Sequence, residues 1–177
     1  MKNLVVVISL LLGTNLIAQK VKFENFKLVE YDCPPDQIQF FNITTIDSNG
    51  VVNIHNGNGS LMFSHQLSEN EIQELNDLFS KKLNAYIVKQ KLNEDYYGLR
   101  FFISFDVNNK SKNLCYVSPF MNEQFNKTIT RIIYKKGSSA KVKSSIDTEA
   151  LEKQIKKQER IDVLPKRPVN PPPQTPE

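Results

Sequence analysis

The stretch that decides the fold is residues 51–80, VVNIHNGNGSLMFSHQLSENEIQELNDLFS. Its first half holds two short runs, Val51 to Asn56 and Leu61 to His65, split by Asn56-Gly57-Asn58-Gly59. Asn and Gly tolerate the positive φ that tight hairpin turns demand, so two antiparallel strands are expected here. The second half changes period. Ser68-Glu69-Asn70-Glu71 fits a capping box, in which the Ser hydroxyl takes an amide three residues on and the Glu carboxylate reaches back. Ile72, Leu75, Phe79 and Leu83 follow at helical spacing, and Leu78 widens the stripe. Glu69, Glu71, Glu74 and Asp77 come early and Lys81 and Lys82 late, which suits the helix dipole. A hairpin that runs directly into an amphipathic helix points to the α+β class.

Upstream, Phe23 to Glu30 alternates loosely as a strand, and Cys33-Pro34-Pro35-Asp36 interrupts it because two prolines remove donors. Ile38 to Ile46 is β-branched and aromatic, a second strand, and Asp47-Ser48-Asn49-Gly50 turns the chain. Downstream, Leu99, Phe101, Ile103, Phe105 and Val107 share one face of a strand, with Arg100, Phe102, Ser104 and Asp106 on the other. Asn108-Asn109-Lys110-Ser111 is a turn, Asn113 to Ser118 returns, and Pro119 ends it. A second amphipathic helix carries Phe125, Ile129, Ile132 and Ile133, with Gly137 as its stop. The order β-β-β-β-α-β-β-α predicts an antiparallel sheet of about six strands with two helices packed on one face. The opposite face is then an expected working surface.

Composition sets the domain plan. Residues 19–137 hold 48 apolar residues in 119, residues 138–177 only 10 in 40, and all seventeen aromatics fall between Phe23 and Tyr134. One globular α+β domain is expected over 19–137, followed by a basic, Ser/Lys- then Pro-rich flexible tail over 138–177. Within that tail only Leu151 and Ile155 pair at helical spacing, so residues 148–161 read as a marginal helix. The tail is expected to be dispensable for folding. Its 10 Lys/Arg against 6 Asp/Glu over residues 135–177 account for the whole net charge of +4, since residues 1–134 carry 13 of each sign. A domain specific for nucleic acid would gather its cations on the folded face. The expected electrostatics are instead weak contacts of the tail with anionic surfaces.

The N-terminus reads as an export signal. Lys2 precedes a nine-residue apolar run, Leu4 to Leu12, interrupted only by Ser9. A spanning helix needs roughly 20 apolar residues. Gly13-Thr14-Asn15 breaks the run, and Leu16-Ile17-Ala18 offers a cleavage point after Ala18, so 1–18 is expected to be a signal peptide. The first cysteine is Cys33, far from that point, so no lipid anchor is expected. Periplasmic or extracellular placement follows, with no transmembrane segment after cleavage. Asn-rich, Trp-free usage fits a bacterial chain, where the sequons at Asn42, Asn58 and Asn126 carry no glycan meaning.

Few residues promise chemistry. Cys33 and Cys115 are the only cysteines, and an oxidising compartment makes them a candidate disulfide, the alternative being two buried thiols. A bridge would close a loop of roughly 80 residues, worth about 4 kcal/mol by chain entropy. His55 and His65 flank the hairpin. Pairing should place His65 opposite Val51, roughly 13 Å along the strand from His55, too far to share an ion. No metal and no cofactor is expected. Glu30, Asp32 and Asp106 are the carboxylates that a hydrolase could pair, each with a plain role at a strand end or turn. Glu94-Asp95-Tyr96-Tyr97 is the candidate binding loop, because paired tyrosines stack on sugars or on a partner protein. A pre-strand turn with one Tyr packed inward is its plainer reading. The expectation is an exported, non-enzymatic binding protein of the cell envelope or extracellular space, with an unknown protein or polysaccharide partner. The alternatives are a small envelope-polymer hydrolase using paired carboxylates and a structural accessory protein docked through its tail.

Overall fold

Six strands alternate their side chains across one antiparallel sheet: β1 (Glu24–Asp32), β2 (Gln39–Ile46), β3 (Val51–Asn56), β4 (Leu61–Gln66), β5 (Arg100–Val107) and β6 (Lys110–Val117). They lie in the order β4-β3-β2-β1-β5-β6, and the two-residue strand β7 (Ser138–Ser139) adds outside β4. Among the described residues three α-helices join them: α1 (Glu69–Ser80), α2 (Glu123–Ile133) and α3 (Thr148–Glu159). This computed structural model describes residues 20–32, 38–88, 99–135, 137–139 and 145–159. The class is α+β, with the strand and helix order expected up to α2.

Local chemistry accounts for the boundaries. Ser68 closes the capping box on Glu71, its amide donating to Glu71 Oε2 at 2.8 Å. Asn108 and Asn109 both take positive φ, 52° and 58°, and Val107 pairs Lys110 across them. That is a two-residue turn of the kind whose twist matches the strands. It lets β6 begin at Lys110, earlier than the sequence suggests.

One sheet face carries Phe26, Leu28, Val52, Ile54, Ile103 and Phe105 against α1 and α2. Phe79 of α1 meets Phe105 and Phe23 at ring-centroid distances of 4.4 and 4.9 Å. Ile129, Ile132 and Ile133 of α2 are buried in the same core.

The opposite face is where the structure corrects the expectation. It is not an open working surface. Val29, Tyr31, Ile43, Phe102 and Cys115 form a second core there, and α3 closes it with Leu151 and Ile155, 2% and 0% exposed. The helices therefore flank both faces, and residues 148–159 are a packed element rather than a marginal or disordered one. The reason is tertiary. Two apolar residues per helix are too few to stabilise it in water, but the sheet supplies an apolar partner surface. Asp147 caps α3 by accepting the amides of Glu149 and Ala150. At its far end Glu159 Oε1 accepts the Tyr31 hydroxyl at 2.9 Å and lies 3.5 Å from Arg100 Nη1.

Between α2 and α3 the described segments lie along β4 and the β3–β4 turn. Helix α2 ends with Tyr134 at its cap, so Gly137 is not the helix stop. Its role is close approach, since a Cβ there would lie 2.8 Å from the Ser64 carbonyl oxygen. Further on, Ser145 bridges Ser60 and the Ile146 amide donates to the Gly59 carbonyl at 3.1 Å.

The residues expected to form a signal peptide, with the expected cleavage point after Ala18, Cys33 with its prolines, Glu94, Asp95, Tyr96, Tyr97 and the Pro-rich stretch all lie outside the described residues. Among the described residues no disulfide occurs and no helix is long and apolar enough to cross a membrane.

Candidate functional site

A bulge builds the site. Along β1 and β2, Glu30 pairs Asn42 and Tyr31 pairs Phe40, which leaves Phe41 as the extra residue. Bulges re-aim the side chains beside them. Here Phe41 is turned partly to solvent, and Asn42 Nδ2 donates to Glu30 Oε2 at 2.8 Å. The Tyr134 hydroxyl, just past the end of α2, donates to Glu30 Oε1. Glu30 is 7% exposed. Burial pushes its carboxyl above the ordinary range, and the Asn42 hydrogen bond only partly offsets that. Tyr116 is buried nearby, and its phenol is pushed up by burial and by the Glu30 charge.

Two members of this cluster, Asn42 and Tyr134, also line an open cavity of about 340 Å³. Ile54, Met62, Phe63, Lys135 and Gly137 complete its wall. Phe63 and Tyr134 are 42% and 38% exposed, so each presents part of a ring to the opening. Lys135 Nζ lies 3.2 Å from Glu71 Oε1. Burial raises the Glu71 carboxyl, but hydrogen bonds from the Ser68 amide and hydroxyl and from Lys135 outweigh it and hold it low. The cavity thus offers two aromatic faces, an amide, a hydroxyl and a neutralised ammonium, with a buried carboxyl behind the wall.

The other sequence candidates do not converge. The register sets His65 opposite Val52, within one residue of the expected position. His55 Nδ1 meets the Ile43 carbonyl at 3.2 Å, while His65 Nε2 meets the Ile132 carbonyl of α2 at 3.0 Å. Among the described residues no cluster of three or more His, Cys, Asp or Glu could hold a metal ion. Along β1, Glu30 pairs Phe101 of β5 while Asp106 pairs Glu24 near the other end, so these two carboxylates are separated. Asp106 is instead held low by hydrogen bonds from Asn25 and Ser111. Asp32 closes β1 opposite Gln39. Cys115 is buried on the α3 face, where its thiol hydrogen-bonds with the Tyr31 hydroxyl.

Of the site residues, the sequence singles out only Glu30 as chemistry and Asn42 as a sequon. Phe63, Tyr134 and Lys135 carry no local signal, because Tyr134 and Glu30 meet across 104 residues of chain. A weak pointer was Tyr134 itself, the last aromatic in the chain, at the polar end of an apolar helix.

Fold and site together define a small α+β protein with an aromatic-rimmed cavity where its helix-covered sheet face meets the end of α2. No protein-family model matches the chain, and no curated protein or solved structure matches it either.

Proposed function

We propose that this chain is an exported, non-enzymatic binding protein of the bacterial cell envelope or the extracellular space, with its ligand site at the Phe63–Tyr134 cavity. The observation that carries the reading is a pair of partly exposed rings around a cavity whose polar wall is pinned by a buried carboxyl. Rigid aromatic area combined with a few fixed polar groups is what ligand sites are built from. A hydrolase would need two converging carboxylates. Glu30 is instead engaged by Asn42 and Tyr134, and Glu71 by Ser68 and Lys135, so binding is the better supported reading. The partner is a protein or a polysaccharide, and the basic residues of the C-terminal segment add weak, salt-screened contact with anionic surfaces.

The experiment is affinity capture from an envelope extract with the intact chain, compared with a Phe63→Ala/Tyr134→Ala double variant. A component retained by the first and lost by the second supports the site; equal retention by both rules the cavity out. Export is checked separately by intact mass from the native host. A species beginning at Gln19 is expected, and one still beginning at Met1 would end the export reading.

A further inference from the structure

We infer that the Phe63–Tyr134 cavity takes a neutral saccharide, one or two pyranose rings, a step that rests on the binding reading above and narrows its ligand. Three observations point the same way. The first is chemical mixture. Ile54 and Met62 are interleaved with the Asn42 amide, the Tyr134 hydroxyl and Lys135, whereas an acyl chain would call for a wholly apolar wall. A pyranose has an apolar C–H face for an aromatic ring and a rim of hydroxyls for such groups. Asn42 gives one N–H to Glu30 and has a second N–H and a carbonyl to offer a hydroxyl pair.

The second observation is charge. Lys135, the cation of the wall, faces Glu71 at 3.2 Å, and the Glu30 carboxyl lies behind Asn42 and Tyr134 where burial favours its neutral form. Among the described residues that line the cavity the one charged group, Lys135, is already paired, so a neutral ligand fits without needing a counter-charge. The third is size. A volume of about 340 Å³ lies at the small end of the roughly 300–1,000 Å³ typical of ligand cavities.

The test is an NMR titration of the full chain, following the ring signals of Phe63 and Tyr134. The neutral probes are cellobiose, maltose, lactose and diacetylchitobiose; glucuronate and decanoate represent an anionic sugar and an aliphatic chain. At least one neutral disaccharide is expected to shift both rings saturably. Phe63→Leu, which keeps apolar bulk at the position paired with β7 but removes the aromatic face, should weaken that binding by about tenfold. Binding of a neutral disaccharide by Phe63→Leu as tight as that of the unaltered chain would overturn the stacking argument. A response to glucuronate or decanoate alone would overturn the saccharide class while leaving the cavity as the binding site. Silence from every probe would overturn the inference, and the capture experiment with the double variant then decides the site independently.

Discussion

Glu30 shows how a single residue couples the fold to the site. It sits on a sheet face otherwise given to apolar packing, and its two oxygens are matched by Asn42 and Tyr134. Burial raises its folded-state pKa, so any stability linked to it is fully present below the unfolded value and is lost as pH rises through the folded one. Lys135, which lines the same cavity, is paired with Glu71, while Tyr116 and Tyr134 present phenols to Glu30. Glu30→Gln should therefore raise the melting temperature at neutral and mildly alkaline pH and flatten its decline with pH. The amide still accepts from Asn42 and needs no ionisation. Thermal unfolding across pH 4 to 8 checks this, and parallel curves for the two proteins would show that Glu30 does not titrate in that window. The sequence makes Glu30 visible as a carboxylate in a strand but not as a buried one, since its burial depends on α2 arriving from far along the chain.

Among the elements, α3 departs furthest from what its own residues specify. Its local signals are an Asp147 cap and two apolar residues one turn apart, which in isolation amount to a marginal helix. Packed on the second core, Leu151 and Ile155 become almost fully buried, each worth about 1.5–3 kcal/mol in transfer terms. Ile155→Ala should cost about 2–5 kcal/mol. Ending the chain after Gly137 should lower the melting temperature by many degrees, because it uncovers Val29, Ile43 and Phe102 together. A truncated protein that melts with the intact one would mean that α3 is dispensable after all. By contrast α1 is legible from its Ser68 capping box, its early acidic residues and its apolar stripe as far as Phe79, while Lys81, Lys82 and Leu83, expected at its end, fall beyond its last residue, Ser80.

At the scale of the whole molecule, the sheet with helices on both faces places Cys115 deep under α3, beside the hydroxyl of Tyr31. With the proposed export, a Cys33–Cys115 bridge is the expected state. Thiol labelling of the denatured, unreduced chain should find no free thiol, and two per chain would refute the bridge. What the sequence determined by itself is what short-range chemistry encodes. Period-2 and helical spacing, the Asn/Gly turns and the Ser68 box specify six strands and two helices in their order, and hence the α+β class. What only the tertiary structure decided is everything that needs a second surface. Both sheet faces are apolar, so a segment with two apolar residues can dock as α3, and a bulge at Phe41 with the far end of α2 can join Glu30, Asn42, Phe63 and Tyr134. Such burial is a property of the pair of surfaces in contact, and no window along one segment contains both.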